Sequence, residues 1–232
     1  MLEELKQKVC EANIALKRSG LVVLTWGNVS GLDEESKLMV IKPSGVPYEA
    51  MKPSDMVVMD LNGNVIEGTY RPSSDAITHI ELYKAFPLVR SVIHTHSTFA
   101  TSFAQAGKEI PPLGTTHADF CFGAIPITRE LSKEEIEGEY ERNTAKVIIE
   151  RFADLDYLAI PAVLTKNHGP FIWGTSIEEA LHSAITLEEV AKMAYLTLTI
   201  NSGTHPLGES LLNKHYQRKH GPKAYYGQKG GK

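Results

Sequence analysis

Ser91-Val92-Ile93-His94-Thr95-His96 carries an apolar run into two histidines one residue apart. The pattern predicts a buried strand over Val89–His94 that emerges from a sheet at its last residue. Side chains in a strand alternate between faces, so positions 94 and 96 point the same way and their imidazoles converge. A strand offers two nitrogen ligands to a metal in this way, although ordinary strand-end histidines share the spacing. A third candidate, His168 in Lys166-Asn167-His168-Gly169-Pro170, again follows an apolar run (Ile160 to Leu164) and stands at a turn signal. Three histidines with a fourth position left for water or substrate form the usual donor set of a catalytic zinc site.

Outward from this strand, short strand-like pieces are expected at Val22–Thr25, Leu38–Ile41, Val57–Asp60 and Val65–Ile66. Leu61-Asn62-Gly63-Asn64 reads as a hairpin turn, because Asn-Gly supports positive φ. Helices are expected from Leu2 to Arg18 with a stop at Gly20, from Ser73-Ser74-Asp75 through Phe86, and over Thr98–Ala106 before Gly107. Ser132-Lys133-Glu134-Glu135 and Ser176-Ile177-Glu178-Glu179 match capping boxes, the second opening a long helix to about Thr199. The sum is one α/β domain whose mixed or antiparallel sheet is covered by helices.

At 232 residues, 42% hydrophobic and 22% charged, the chain can bury one sizeable core. A net charge of −4 argues against general nucleic-acid binding. No run approaches the roughly 18 apolar residues that span a membrane, and Met1 to Leu16 lacks the features of a signal peptide. Cys10 and Cys121 form no CxxC pair, which fits a cytoplasmic setting.

Three segments resemble anion receptors: Trp26-Gly27-Asn28-Val29-Ser30, Ile41-Lys42-Pro43-Ser44-Gly45 and Arg71-Pro72-Ser73-Ser74. They combine close-approach glycines, a cation, hydroxyls and backbone N–H groups at a helix start. Each alone is an ordinary turn; together they form a phosphate cradle. No G-x-G-x-x-G or Walker motif is present, which removes the best signals for nicotinamide or ATP chemistry. Asp75 taken alone reads first as an N-cap or first-turn carboxylate; with His79 one helical turn further on it makes a D-x-x-x-H pair that can bind metal, but His79 reads as a packing histidine or a partner outside the ligand set. Asp119, in Thr115-Thr116-His117-Ala118-Asp119-Phe120, is an acid in an otherwise apolar setting that could tune its proton affinity, or a loop-stabilising residue. His215, Arg218, His220, Tyr225 and Tyr226 make the C-terminal segment basic and aromatic, the composition of a docking segment.

In order along the chain, Leu24-Thr25-Trp26-Gly27-Asn28-Val29-Ser30, Ile41-Lys42-Pro43-Ser44-Gly45, Pro72-Ser73-Ser74-Asp75 and His94-Thr95-His96-Ser97 resemble the class II aldolase/epimerase family. Gly114-Thr115-Thr116-His117-Ala118-Asp119, His168-Gly169-Pro170-Phe171 and Leu211 to Gln228 continue the resemblance over nearly the whole chain. It implies one three-layer α/β domain over residues 1–228, with a central, largely antiparallel sheet flanked by helices. Lys229–Lys232 is left as a flexible tail.

The resemblance further implies a homotetramer with active sites between subunits and a zinc ion in each, manganese or cobalt being alternatives. His94, His96 and His168 become metal ligands, with Asp75 as a fourth. Gly27, Asn28, Lys42, Ser44, Gly45, Ser73 and Ser74 become the phosphate pocket. Asp119 and Tyr226 become the acid/base pair, while Thr115, Glu141, His215 and Arg218 complete the site, several from a neighbouring chain. The implied reaction is retro-aldol cleavage and re-addition on a small sugar phosphate.

Within the family, the Asp119 and Tyr226 segments favour the epimerase branch, acting on a pentulose phosphate in L-arabinose catabolism. So does Asp75, where fuculose- and rhamnulose-phosphate aldolases carry Glu. An aldolase of the family is the nearest alternative. A non-catalytic zinc protein is a more distant one, since structural zinc sites are closed and cysteine-rich.

Overall fold

A computed structural model describes residues 2–225. Seven strands form one sheet: β1 (Asn28–Leu32), β2 (Leu38–Ile41), β3 (Val57–Asp60), β4 (Val65–Glu67), β5 (Ser91–His94), β6 (Ala162–Leu164) and β7 (Pro170–Gly174). Their spatial order is β4-β3-β2-β1-β5-β7-β6, and every neighbouring pair is antiparallel. The sheet is therefore antiparallel throughout, as the resemblance implied.

Helices cover both faces. Residues of α1 (Glu3–Arg18), α3 (Thr98–Gln105) and α7 (Ile177–Ile200) pack with Val40, Val58, Ile93 and Ile172 in one buried cluster. α2 (Ala76–Ala85) and α6 (Tyr140–Arg151) pack with Met39, Ile41, Val57, Met59, Val92, Phe171 and Trp173 in another. Consecutive strand residues thus fall in opposite clusters, as a period of two requires, and the domain has three layers. Full burial of each such side chain contributes about 1.5–3 kcal/mol, which is what fixes strand register here. Among the described residues there are also a 3-10 helix at Pro53–Asp55 and three short or terminal α-helices: α4 (Thr115–Phe120), α5 (Lys133–Glu137) and α8 (Glu209–His220).

Several local readings hold. Asp60 accepts hydrogen bonds from the amides of Asn62 (2.9 Å) and Asn64 (2.8 Å), closing the expected hairpin with Gly63 at φ 92°. Ser132 and Glu135 form the reciprocal capping box at α5. Ser176 caps α7 through the Glu179 amide, but the Glu179 carboxylate binds Thr175 instead of completing the box.

The first expected strand is a correction. Val22–Thr25 runs into a turn in which Leu24 takes φ 52° and the Trp26 amide donates to the Val23 carbonyl. The first strand is Asn28–Leu32, which takes in Asn28, Val29 and Ser30 of the segment expected as a turn. All five of its residues are buried, so no polar–apolar alternation marks it. Gly31 lets α1 pack close there: a Cβ would come within 2.9 Å of the Leu5 side chain, which would have to shift. The segment around Asp119 is likewise helical, and the C-terminal segment forms α8, whose His220 reaches the Asp119 carbonyl. No described helix is long and apolar enough to cross a membrane.

Candidate metal and phosphate site

Register places the site. Asn28 of β1 stands opposite His94 of β5, which stands opposite Phe171 of β7. Three adjacent strands therefore end together, and the loops leaving them share one cavity of about 610 Å³. His94, His96 and His168 line it together with Asn28, Lys42, Ser44, Ser73 and Asp75.

His94 is buried, its ring stacked on Phe171 with centroids 4.3 Å apart. Its Nδ1 lies 3.0 Å from the Pro170 carbonyl. In the neutral tautomer whose Nδ1–H donates to this carbonyl, Nε2 carries the lone pair. That Nε2 faces the Nε2 of His96 at 3.0 Å. One donor atom from each of His94, His96 and His168 fits within a 4.8 Å span. β5 ends at His94, so His96 is brought round by the turn after the strand rather than by strand alternation itself. On the other side, Asn167 takes φ 63° and Gly169 lets the His168 turn close against β5. A Cβ on Gly169 would lie 2.7 Å from the Thr95 carbonyl.

The arrangement fits a divalent metal ion. Burial, then the neighbouring imidazoles, hold His168 down at about 3, and burial chiefly lowers His96. These rings are thus neutral near pH 7, as ligands must be. His168 Nδ1 is buried with no hydrogen-bond partner among the described residues, and the Pro170 carbonyl gives His94 the outer partner that metal-binding histidines use. Asp75, expected as a fourth ligand, lines the same cavity outside this three-histidine cluster. Its carboxylate accepts from Asn28 Nδ2 at 2.7 Å and makes no side-chain cap for α2. Burial alone would raise its pKa, but the charges of His94 and His79 and the Asn28 hydrogen bond bring it below the ordinary value.

The anion-receptor segments meet at the other end of the cavity. The Ser73 amide donates to the Lys42 carbonyl and the Ser44 amide to the Arg71 carbonyl, both at 2.9 Å. These amides were expected to be free for an anion; they are instead spent tying the two loops together. Donors remain in the side chains. Lys42 is buried, with Nζ 3.2 Å from the Pro43 carbonyl and 4.9 Å above the Tyr48 ring, and burial lowers its pKa. Tyr48 also fixes the third loop, its hydroxyl lying 2.9 Å from the Trp26 carbonyl and 2.7 Å from that of Gly27. Gly27, at φ 88°, passes so near β5 that a Cβ would meet the His94 carbonyl at 2.8 Å. Asn28 Nδ2 donates to Ser73 Oγ at 2.9 Å, so one amide links the Ser73 loop and the Asp75 carboxylate.

Other expected residues fall elsewhere. Glu141 lines the cavity within the same chain. Asp119, His215 and Arg218 form a separate cluster: Asp119 Oδ1 accepts from His215 at 3.0 Å and from Arg218 Nε at 2.9 Å. Asp119 is therefore in a charged setting, not the apolar one expected. Its burial is outweighed by the bonds from Arg218 and His215, and its pKa falls. Neither this cluster nor Thr115 lines the histidine cavity. Tyr226 and the tail at 229–232 lie outside the described residues. The sequence reading missed Tyr140, whose ring lies 6.3 Å from His168 in the cavity wall. It opens a polar helix and carries no sequence signal of its own.

Residues 7–195 match the class II aldolase and adducin N-terminal domain family. The chain belongs to that family. It is 57% identical over 228 residues to the L-ribulose-5-phosphate 4-epimerase UlaF of Salmonella paratyphi A, an alignment covering 98% of this chain and 100% of that one. Among solved structures it resembles an L-fuculose 1-phosphate aldolase (TM-score 0.79, 27% identity, 93% and 95% of the two chains). It also resembles the l-fuculose-1-phosphate aldolase of Thermus thermophilus (TM-score 0.63, 25% identity, 88% and 98%).

Proposed function

We propose that this chain is an L-ribulose-5-phosphate 4-epimerase that interconverts L-ribulose 5-phosphate and D-xylulose 5-phosphate by cleaving and re-forming a carbon–carbon bond. The observation that carries this reading is the meeting of three converging histidines and a Lys42–Ser44–Ser73 anion receptor in one cavity. Identity of 57% to an epimerase, against 27% to an aldolase, selects the epimerase branch.

His94, His96 and His168 would hold the metal ion, which we assign as zinc, with Asp75 beside it. When bound, the ion supplies Lewis-acid polarisation of the C2 carbonyl and offsets the negative charge left by bond cleavage. Lys42, Ser44, Ser73 and Ser74 hold the phosphate, with Gly27, Asn28 and Gly45 shaping the loops. That grip is central to the outcome. After the C3–C4 bond breaks, the two-carbon aldehyde phosphate stays anchored, its aldehyde turns, and re-addition occurs on the other face. Release of the fragment would make the enzyme an aldolase.

Asp119 and Tyr226 are assigned as the acid/base pair: one takes the C4 hydroxyl proton as the bond breaks, and the other returns a proton to the new alkoxide. Arg218 and His215 keep Asp119 ionised, the form a base needs. Because the Asp119 cluster lies apart from the histidine cavity of its own chain, we assign it to the cavity of a neighbouring subunit in a homotetramer. Two free buried cysteines agree with a cytoplasmic enzyme of pentose catabolism.

A coupled assay on zinc-loaded protein tests the reading, with L-ribulose 5-phosphate supplied and both D-xylulose 5-phosphate and free glycolaldehyde phosphate followed. Conversion with little free aldehyde is expected. Dominant aldehyde release would identify an aldolase, and neither product from folded, metal-loaded protein would refute the substrate assignment.

A further inference from the structure

The three histidines come from two segments, the end of β5 with the turn after it (His94, His96) and the His168 turn, and α3 touches both. It begins at Thr98, two residues after His96. Near its other end the Ala104 carbonyl accepts the Asn167 amide at 3.1 Å, next to His168. α3 is therefore a strut between the His94–His96 turn and the His168 turn. Its N-cap residue, Ser97, makes no side-chain capping bond. The amides of Phe99 and Ala100 instead donate to the two carboxylate oxygens of Glu188 on α7, at 2.7 and 3.0 Å. These are the second and third helical residues, the amides an N-cap side chain would serve. Here the acceptor is an ionisable carboxylate 88 and 89 residues away, on a helix whose flanking Leu187 and Ala191 are buried against the sheet. A charged acceptor at a helix N-terminus is stronger than a hydroxyl and favoured by the dipole.

We propose that Glu188 is a positioning residue for the histidine centre: by capping α3 from α7, it holds the two histidine-bearing turns at the separation a metal ion requires. The inference rests on the reading that His94, His96 and His168 bind a divalent metal. Without Glu188, two amides lose their acceptor, the start of α3 is released, and His96 loses its frame. A partner bonded directly to a metal-binding histidine is worth roughly 10–100-fold in metal affinity; Glu188 bonds the start of α3 instead of a histidine, so the effect expected is about tenfold, the lower end of that range.

The test is a Co2+ titration of metal-free full-length protein, followed by calorimetry and by the visible d–d absorption, with thermal melting of each metal-free form alongside. Wild type, Glu188→Ala, Glu188→Gln and, as control, Glu189→Ala are compared. Wild type and Glu189→Ala should bind one ion per chain equally. Glu188→Ala should bind about tenfold more weakly or worse, with a changed d–d band, and Glu188→Gln should fall between, since its amide oxygen still accepts. Wild-type affinity and spectrum in Glu188→Ala would overturn the proposal even if its melting temperature fell. Should that variant not fold, the same result in Glu188→Gln decides against it. Failure of the wild type to bind Co2+ would instead refute the metal reading, and this inference with it.

Discussion

Asn28 Nδ2 donates to Asp75 Oδ2 at 2.7 Å, although the two residues belong to different elements, β1 and the entrance to α2. The same amide nitrogen reaches Ser73 Oγ, and its residue pairs with His94 in the sheet. One residue therefore ties three segments together: its side chain joins the Asp75 carboxylate to the Ser73 loop, and its backbone pairs with the strand that carries His94.

Asn28→Ala removes these bonds and leaves Asp75 without its amide donor. Hydrogen bonds to charged groups contribute about 1.5–3 kcal/mol, so kcat/KM should fall roughly 10–100-fold with the fold retained. Steady-state kinetics with L-ribulose 5-phosphate, beside circular dichroism, provide the check. Unchanged kinetics would separate Asn28 from the site.

His96→Asn takes one imidazole from the cluster while leaving the strand and its hydrogen-bonded partner His94 in place. Metal content after dialysis should drop well below one ion per chain, and turnover should be lost with it. Elemental analysis of the purified variant decides the matter; full metal retention would mean the cluster is not the metal site.

Arg218→Met should expose the role of the Asp119 ion pair through pH. Asp119 has its folded-state pKa depressed below the ordinary 3.8, by the Arg218 and His215 bonds acting against burial. A depressed carboxyl stabilises the folded form above its unfolded pKa and loses that contribution as pH falls through the folded value. Arg218→Met should therefore melt lower than wild type at pH 7, and the gap should narrow below about pH 4. A gap that stays constant to pH 3 would contradict this.

His117 also costs stability as pH falls, but over a higher pH range. It is buried on α4, its Nε2 2.8 Å from the Gly123 carbonyl, and burial holds its pKa down to about 4 from 6.5. Below pH 6.5 the unfolded chain takes up a proton that the folded one refuses, so stability declines as pH falls and levels off near pH 4. A fall from 6.5 to about 4 corresponds to roughly 3 kcal/mol. His117→Gln keeps an N–H donor without the titration, so melting temperatures between pH 6.5 and 4 should fall less steeply than in wild type. Parallel curves for the two proteins would remove His117 from the account.

Where physics is local, the sequence was a sufficient guide. Short apolar runs placed the strands Leu38–Ile41 and Val57–Asp60, the Asn-Gly pair placed the turn between Asp60 and Val65, and capping-box patterns placed the helices that begin at Ser132 and Ser176. Histidine spacing after two apolar runs identified all three members of the cluster. These features depend on residues within a turn or two of one another.

Elements whose reason is non-local stayed hidden. Asn28–Leu32 is a central strand because α1 and both neighbouring strands bury it, which erases the alternation by which a strand is read. Tyr140 enters the cavity only because α6 docks over α2, and Glu188 caps a helix from 88 residues away. The amides of Ser44 and Ser73 were free on paper and are consumed by pairing between loops. By itself the sequence determined which residue types were available for metal and phosphate chemistry, and most of the elements that carry them. Tertiary structure alone decided which donors remain unspent, which rings converge, and that Asp119 stands apart from the histidines, because those outcomes depend on contacts between segments distant in the chain.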